Sequence, residues 1–474
     1  MIENIIVASR KLTAPTVVQS LYLLSLLSAV VPFGAVTPIP LSAATMLACL
    51  AAVVSAIVLG SPLKTRWLFA TALILAASTV AWVKIQTLSS LGGRFINPLW
   101  YDLKIASLPQ GGSISIQPAN SIAALSVLAV PLLAFLTGLA VIRSDKDARR
   151  FTAILAVGGG IWAIYGLIQF LFFPDTNLFF PKTAYLDSLT ATFVNRNTAG
   201  TFLGLVCLTL ARYVWSLSRE ISLVAILQQV LSNRPVKIAG LRFLLMISTF
   251  FACSLVALFL TKSRGAIGST VVAFLVLVCL LTLLRTKRTE SFSAAPSRRK
   301  ALLKAVLAGG IVLLALGVFG GRALLRAETQ GTEDPRYCVL PGIIELAKSE
   351  PLVGNGFGSF RYAFPPYRDP QCGIIFIWER AHNFYLDGFI GLGVIFVVIL
   401  VVGLSALLIA QLIGMRNRHR MRSYSALGLA SIVLVSLHGL VDFSLQIPGM
   451  AAYFAALMAA TSTISLGRSS ERKR

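Results

Sequence analysis

Charge is scarce in this chain of 474 residues: 13% of them are Asp, Glu, Lys or Arg, and only 18 are acidic. Ordinary soluble domains carry about 25% charged residues, so the shortage excludes a soluble globular protein. Histidine is scarcer still, with three in the whole chain. There is no HExxH, no Cys–His cluster and no DxD-like carboxylate pair facing outward, so no metal site is expected. No Walker A or Rossmann glycine pattern occurs either. Energy for any chemistry must then arrive with the substrate, and no cofactor is expected. The opening "MIENIIVASRKLTAPT" lacks the apolar core and small-residue cleavage site of a secretory signal, so the first apolar run is expected to remain as a span. Internal repeats and low-complexity tracts are also missing.

What the chain has instead is apolar length. It is 56% hydrophobic with a mean hydropathy of +0.81. Apolar runs occur at 16–34, 41–60, 67–86, 120–142, 151–173, 198–216, 243–261, 266–284, 303–320, 386–413, 425–443 and 448–466. A helix needs about 20 residues to cross the hydrocarbon core, so the expectation is an all-α polytopic membrane protein with about twelve transmembrane helices. The net charge of +24 comes from Lys and Arg clustered between these runs, in "SPLKTR", "RSDKDARR", "RTKRTESFSAAPSRRK", "MRNRHRMRS" and the tail "RSSERKR". That is the positive-inside pattern, and it places both termini in the cytoplasm. No basic domain or nucleic-acid motif accompanies the charge, so nucleic acid is excluded as a partner and membrane lipids are implied.

This topology divides the chain into four parts. Residues 1–150 hold helices 1–4, and 151–320 hold helices 5–9 with arginines at their periplasmic ends. Residues 321–385 form one large periplasmic loop between helices 9 and 10, and 386–474 hold the last three helices and the basic tail. Segment 217–241 reads as an amphipathic helix on the inner surface. Four cysteines, Cys49, Cys207, Cys253 and Cys279, lie in spans as small apolar residues. Cys338 and Cys372 share the outer loop, where an oxidising compartment favours their pairing as a disulfide.

Polar residues gather at the outer span ends. "TATFVNRNTAGTFLGL" places Arg196 between Asn195 and Asn197 at the mouth of the sixth span. "LTKSRGAIGST" carries Lys262 and Arg264 in a tight turn, "GNGFGSFRYAFPPYR" carries Arg361 and Arg368, and "ERAHNFYLD" carries Glu379, Arg380, His382 and Asn383. Arginine's planar fork suits phosphate oxygens, and free N–H groups at helix starts favour an anion at Arg196 and Arg264. A single arginine at a span end also fits snorkelling to headgroups. Imidazole titrates near neutral pH, which suits His382 to general-base work; an interfacial histidine bonded to a loop carbonyl is the alternative. His438 and Asp442 are four apart and are expected on one face of the eleventh helix in a positioning role.

As an ordered set, "FVNRNTAGTFLGL", "LTKSRGA", "GNGFGSF", "AHNFYLDGFIGLG" and "HGLVDFSLQIPG" resemble the O-antigen ligase and polymerase superfamily of bacterial envelope glycosyltransferases, over roughly residues 190–450. The resemblance implies a GT-C-like fold in the inner membrane with its active site facing the periplasm. The donor would be a glycan on a polyprenyl (undecaprenyl) diphosphate carrier. The acceptor would be lipid A-core sugar for a ligase, or a growing polysaccharide for a polymerase; the size of the 321–385 loop leans toward the ligase. Arg196 and Arg264 would bind the donor diphosphate. His382 would deprotonate the acceptor hydroxyl for metal-independent inversion at the anomeric carbon. Asn195, Asn197, Lys262, Arg361, Glu379, Arg380, Asn383, His438 and Asp442 would support them. A transporter or flippase is the rival class, but transporters show repeats and ionisable residues near the midplane. Here the spans are nearly charge-free.

Overall fold

The computed structural model describes residues 14–62, 64–89, 95–101, 112–219, 232, 240–283, 335–372 and 377–467. The expected span at 303–320, most of the 217–241 segment, the start of the outer loop and the basic tail lie outside the described residues. The expected apolar runs among the rest are helical: α1 (Ala14–Val30), α2 (Pro38–Leu59), α3 (Arg66–Gln86), α4 (Pro118–Val141), α5 (Asp145–Phe172), α6 (Arg196–Ser218), α7 (Leu241–Leu260) and α8 (Arg264–Leu283) precede the outer loop. After it come α12 (Val394–Asn417), α13 (Arg422–His438) and α14 (Pro448–Ser465). Eight of these are long and apolar enough to cross a membrane. Between them a small hairpin pairs β1 (Thr176–Asn177) with β2 (Phe180–Pro181). The described residues of the 321–385 segment fold into α9 (Pro335–Ser349) and the short α10 (Phe360–Ala363), and α11 (Phe384–Leu392) leads into α12.

Local sequence explains the helix starts. Proline sits at the first turn of α2, α4 and α14, where its missing N–H costs nothing. Ser144 and Asp147 form a reciprocal capping box on α5. Helices α6 and α14 are enclosed along nearly their whole length. Small residues allow this: a methyl added to Gly200 of α6 would lie 2.6 Å from Cβ of Ala266 on α8, so the two helices approach closely there. The central packing is aromatic, with Phe202 4.6 Å from Trp162 and 4.5 Å from Tyr453 between ring centroids.

Two expected spans are shorter than their apolar runs. Run 386–413 is broken into α11 and α12 at Gly393, whose φ of 62° is left-handed. The carbonyls that would continue the helix are taken by other elements. Gln86 Nε2 and the Gly356 N–H donate to Gly391 O, and Trp82 Nε1 donates to Leu392 O. Run 425–443 likewise stops at His438. Here the Phe384 N–H donates to Gly439 O and Asn383 Nδ2 donates to Leu440 O.

Candidate functional site

The site grows from two helix starts held side by side. Asn195 caps α6 by accepting a hydrogen bond from the Asn197 N–H at 2.7 Å, which makes Arg196 its first residue. Arg264 opens α8 after a turn of three residues. In that turn Lys262 is held at φ 55°, a conformation that costs a non-glycine residue about 1–3 kcal/mol and collects at functional sites. The segment after the hairpin packs against this turn: the Leu189 N–H donates to Leu260 O at 2.9 Å, and Lys262 Nζ lies 2.9 Å from Asp187 Oδ2. Arg196 Nη1 reaches Ser188 Oγ at 3.4 Å, with its guanidinium 5.3 Å from the Tyr185 ring. Lys182 donates to Ser188 O at 2.7 Å. Desolvation lowers the Lys182 pKa and Lys262 adds to that, while Asp187 and Asp175 oppose it. Lys182, Lys262 and Arg196 thus share this face with Asp187 and Ser188.

Behind the two helix starts lies a buried polar network. Asn197 Nδ2 donates to Asp442 Oδ1 at 2.9 Å, and Ser263 Oγ donates to Asn197 Oδ1 at 2.8 Å. Ser444 Oγ donates to Asp442 Oδ2, and Thr201 Oγ1 lies 3.0 Å from Ser444 Oγ and 2.6 Å from His438 Nδ1. Asp442 is 0% exposed and His438 2%. Such burial is tolerable only because the carboxylate's lone pairs are met. The ring of His438 lies against Gly265: a methyl there would be 3.0 Å from Cδ2 and 3.1 Å from Nε2. The expected shared helical face of His438 and Asp442 is corrected. Asp442 lies past the end of α13, and the pair is linked through Thr201 and Ser444.

His382 reaches the same place from the other side. Its φ is 52°, and this left-handed turn is clamped at both neighbours. The Ala381 N–H donates to buried Asp387 Oδ2 at 2.9 Å. Asn383 caps α11, accepting from the Tyr385 and Leu386 N–H groups at 3.0 Å, and its Nδ2 donates to Leu440 O at 2.8 Å. The imidazole stands 5.0 Å from both the Trp378 and Phe443 rings. Residues 439–444 are thus a hub. They bond the His382 turn through Asn383 and Phe384, the Arg196 start through Asn197, and they pack on Gly265 beside Arg264.

The glycines of the "GNGFGSF" element build a tight turn against α11 and the N-terminal part of the chain. Gly354, Gly356 and Gly358 all have positive φ, at 72°, 104° and 71°. A methyl on Gly354 would meet Gly391 O at 2.6 Å. The N-terminal part of the chain clasps this loop. Gln86 Nε2 donates to Val353 O at 2.7 Å, and the Phe357 N–H donates to Gln86 Oε1 at 3.2 Å. Asn97 Nδ2 donates to Asn355 Oδ1 at 2.9 Å, and Asn120 Nδ2 to Gly358 O at 2.8 Å. Arg361 pairs with Glu379 at 3.0 Å, with both side chains exposed, a pair worth little in water. Cys338 and Cys372 form a disulfide with Cα atoms 5.7 Å apart. It joins α9 to the stretch leading to His382, over a small core of Val339, Ile343, Leu346, Phe360, Phe364 and Ala381.

The structure therefore gathers the motifs of Arg196, Arg264 and His382, with Asn195, Asn197, Lys262, Asn383, His438 and Asp442, at one end of the bundle. Arg361 and Glu379 pair away from the buried network. Sequence reasoning passed over Ser263, Thr201, Ser444, Asp387, Trp378, Phe443 and Gln86. Thr201, Ser263, Asp387, Phe443 and Ser444 stand inside the quoted motifs, so adjacency is an available signal; nothing local marks Gln86.

These features define a polytopic helical membrane protein with a basic, polar site at one end of its bundle. Residues 249–401 match the family model for O-antigen ligase, which supports the O-antigen ligase and polymerase superfamily as the relationship. The matched segment contains Arg264, the outer loop and His382, while Arg196 and the 439–444 hub lie outside it. No curated protein sequence matches the chain.

Proposed function

We propose that this protein is a membrane glycosyltransferase of the O-antigen ligase type, moving a glycan from a polyprenyl diphosphate carrier to a sugar hydroxyl of lipid A-core at the periplasmic face. The observation that carries the reading is the convergence of the two arginine-bearing helix starts and the strained His382 turn on residues 439–444. The opposite end of the bundle carries Lys64, Arg143, Arg149, Arg418 and Arg422, and the positive-inside bias supports a cytoplasmic placement of that end.

In the proposed reaction His382 takes the proton of the acceptor hydroxyl. The acceptor oxygen then bonds to the anomeric carbon as the bond from that carbon to the phosphate oxygen breaks. The configuration inverts, and polyprenyl diphosphate leaves with its charge held by Arg196 and Arg264. Preorganised cations at the leaving group act where charge develops, in a site that need not reorganise. The rigid clamps on His382 serve the same end, because a base must be within hydrogen-bond reach of its proton.

Transfer from a polyprenyl-diphosphate glycan by purified protein in detergent tests this, with lipid A-core and repeat-unit acceptors as separate arms. Turnover with the repeat-unit acceptor alone makes the protein a polymerase. His382→Ala should lower turnover by about 10²–10⁴-fold with donor binding intact. Arg264→Ala should weaken donor binding and turnover, and Arg264→Lys should restore only part, since an ammonium lacks the fork. A chelator should leave the rate unchanged. Near-normal turnover by His382→Ala at normal abundance sinks the base assignment, and absence of gradient-free turnover favours transport.

A further inference from the structure

We propose that Asn197 is a positioning residue that sets the relation of the two diphosphate-binding arginines, by strutting the start of α6 to the turn before α8. The inference rests on the donor reading above and adds to it a specific load path. Asn197 follows Arg196 in the chain and Ser263 precedes Arg264, and their side chains are bonded at 2.8 Å. One hydrogen bond therefore links the residues flanking the two arginines, whose helices already touch at Gly200 and Ala266.

The chemistry of the partners fixes which way the Asn197 amide points. A buried carboxylate only accepts, so the group facing Asp442 Oδ1 must be Nδ2, and Oδ1 must face the Ser263 hydroxyl. Ser444 spends its hydrogen on Asp442 Oδ2. Asp442 is thus the anchor that holds the amide in one orientation, and its position on the 439–444 hub ties the strut to the turn carrying His382. All four side chains are at most 5% exposed, so water offers little substitute for a lost bond.

The arrangement predicts a polarity swap. Asn197→Asp sets two carboxylates against each other, removes the bond to Asp442 that anchors the strut and pushes the side chain at 197 out of register with Ser263. Adding Asp442→Asn restores every bond with donor and acceptor exchanged: the new amide at 442 donates to the carboxylate at 197. That carboxylate still accepts from Ser263, and the amide oxygen at 442 still accepts from Ser444. Steady-state transfer in detergent, with donor and acceptor varied separately, reads this out. Asn197→Asp should raise the donor KM by roughly 10–100-fold, the range that couplings between contacting residues reach, with the acceptor KM little changed. Asn197→Asp/Asp442→Asn should return it to within about threefold of wild type. Ser263→Ala should shift the donor KM in the same direction as Asn197→Asp, and it carries the test with the double variant if the single carboxylate variant does not accumulate. A double variant as impaired as Asn197→Asp, a Ser263→Ala donor KM equal to wild type, or a loss confined to kcat overturns the strut. Wild-type protein without transfer activity overturns the donor reading itself; wild-type turnover with an unrescued swap overturns the strut alone.

Discussion

Replacing Gln86 with Leu is the sharpest probe of what the N-terminal third does. The side chain is 0% exposed and bonds Val353 O, Gly391 O and the Phe357 N–H. Leucine keeps most of the volume and removes every bond. Gly391 O retains the Gly356 N–H at 3.1 Å, so two groups, Val353 O and the Phe357 N–H, lose their partner. Each buried unsatisfied group costs about 1–3 kcal/mol, which makes the total about 2–6 kcal/mol. The damage should stay local, because the helices α3 and α12 keep their apolar packing. Amide exchange in detergent reads it directly: the Asn355 and Gly356 N–H groups, bonded to Ile390 O and Gly391 O, should exchange at least about 30-fold faster, since each 1.4 kcal/mol is tenfold. Glycan transfer should fall in parallel, as α11 and the His382 turn lose their brace. Unchanged protection at residues 354–358 with full turnover would refute the clasp.

Other expectations follow from the same geometry. Alkylation without reductant followed by peptide mapping should find Cys338 and Cys372 blocked, and replacing both with Ser should cost about 2–4 kcal/mol of outer-loop stability; free thiols at both positions contradict the pairing. Desolvation raises the Glu350 carboxyl pKa, so the fold prefers its protonated form. Its penalty is then full at neutral pH and fades as pH falls through the raised pKa. Glu350→Gln should accordingly raise the melting temperature at neutral pH, with the gain vanishing in the acid range; a gain independent of pH points elsewhere. Reporter fusions after residues 147 and 418 should read cytoplasmic and one near 345 periplasmic, and a cytoplasmic signal at 345 inverts the proposed orientation.

The helical character of the apolar runs was legible from local sequence, because apolar length is a local quantity. The candidate arginines were legible for a related reason: "NRN" before a run of small residues and "KSRG" between two apolar runs are helix starts by their own chemistry. The i, i+4 reading of His438 and Asp442 failed because it assumed a continuous helix. The carbonyls past His438 are claimed by Asn383 and Phe384 instead, which no window around residue 438 reveals.

The sequence by itself determined an apolar helical chain, a cysteine-bearing segment between two apolar runs and a short set of polar residues at run ends. Only the tertiary structure decided how these meet. Asn197 and Asp442 are 245 residues apart, and Gln86 and Val353 are 267 apart, yet each pair shares one buried hydrogen bond. A buried amide takes its partner from whichever backbone or carboxylate the packing brings within about 3 Å. That choice is made by helices closing on one another through Gly200 and Ala266, and by carbonyls released where helices break at Gly393 and His438. Neither leaves a periodicity in the chain.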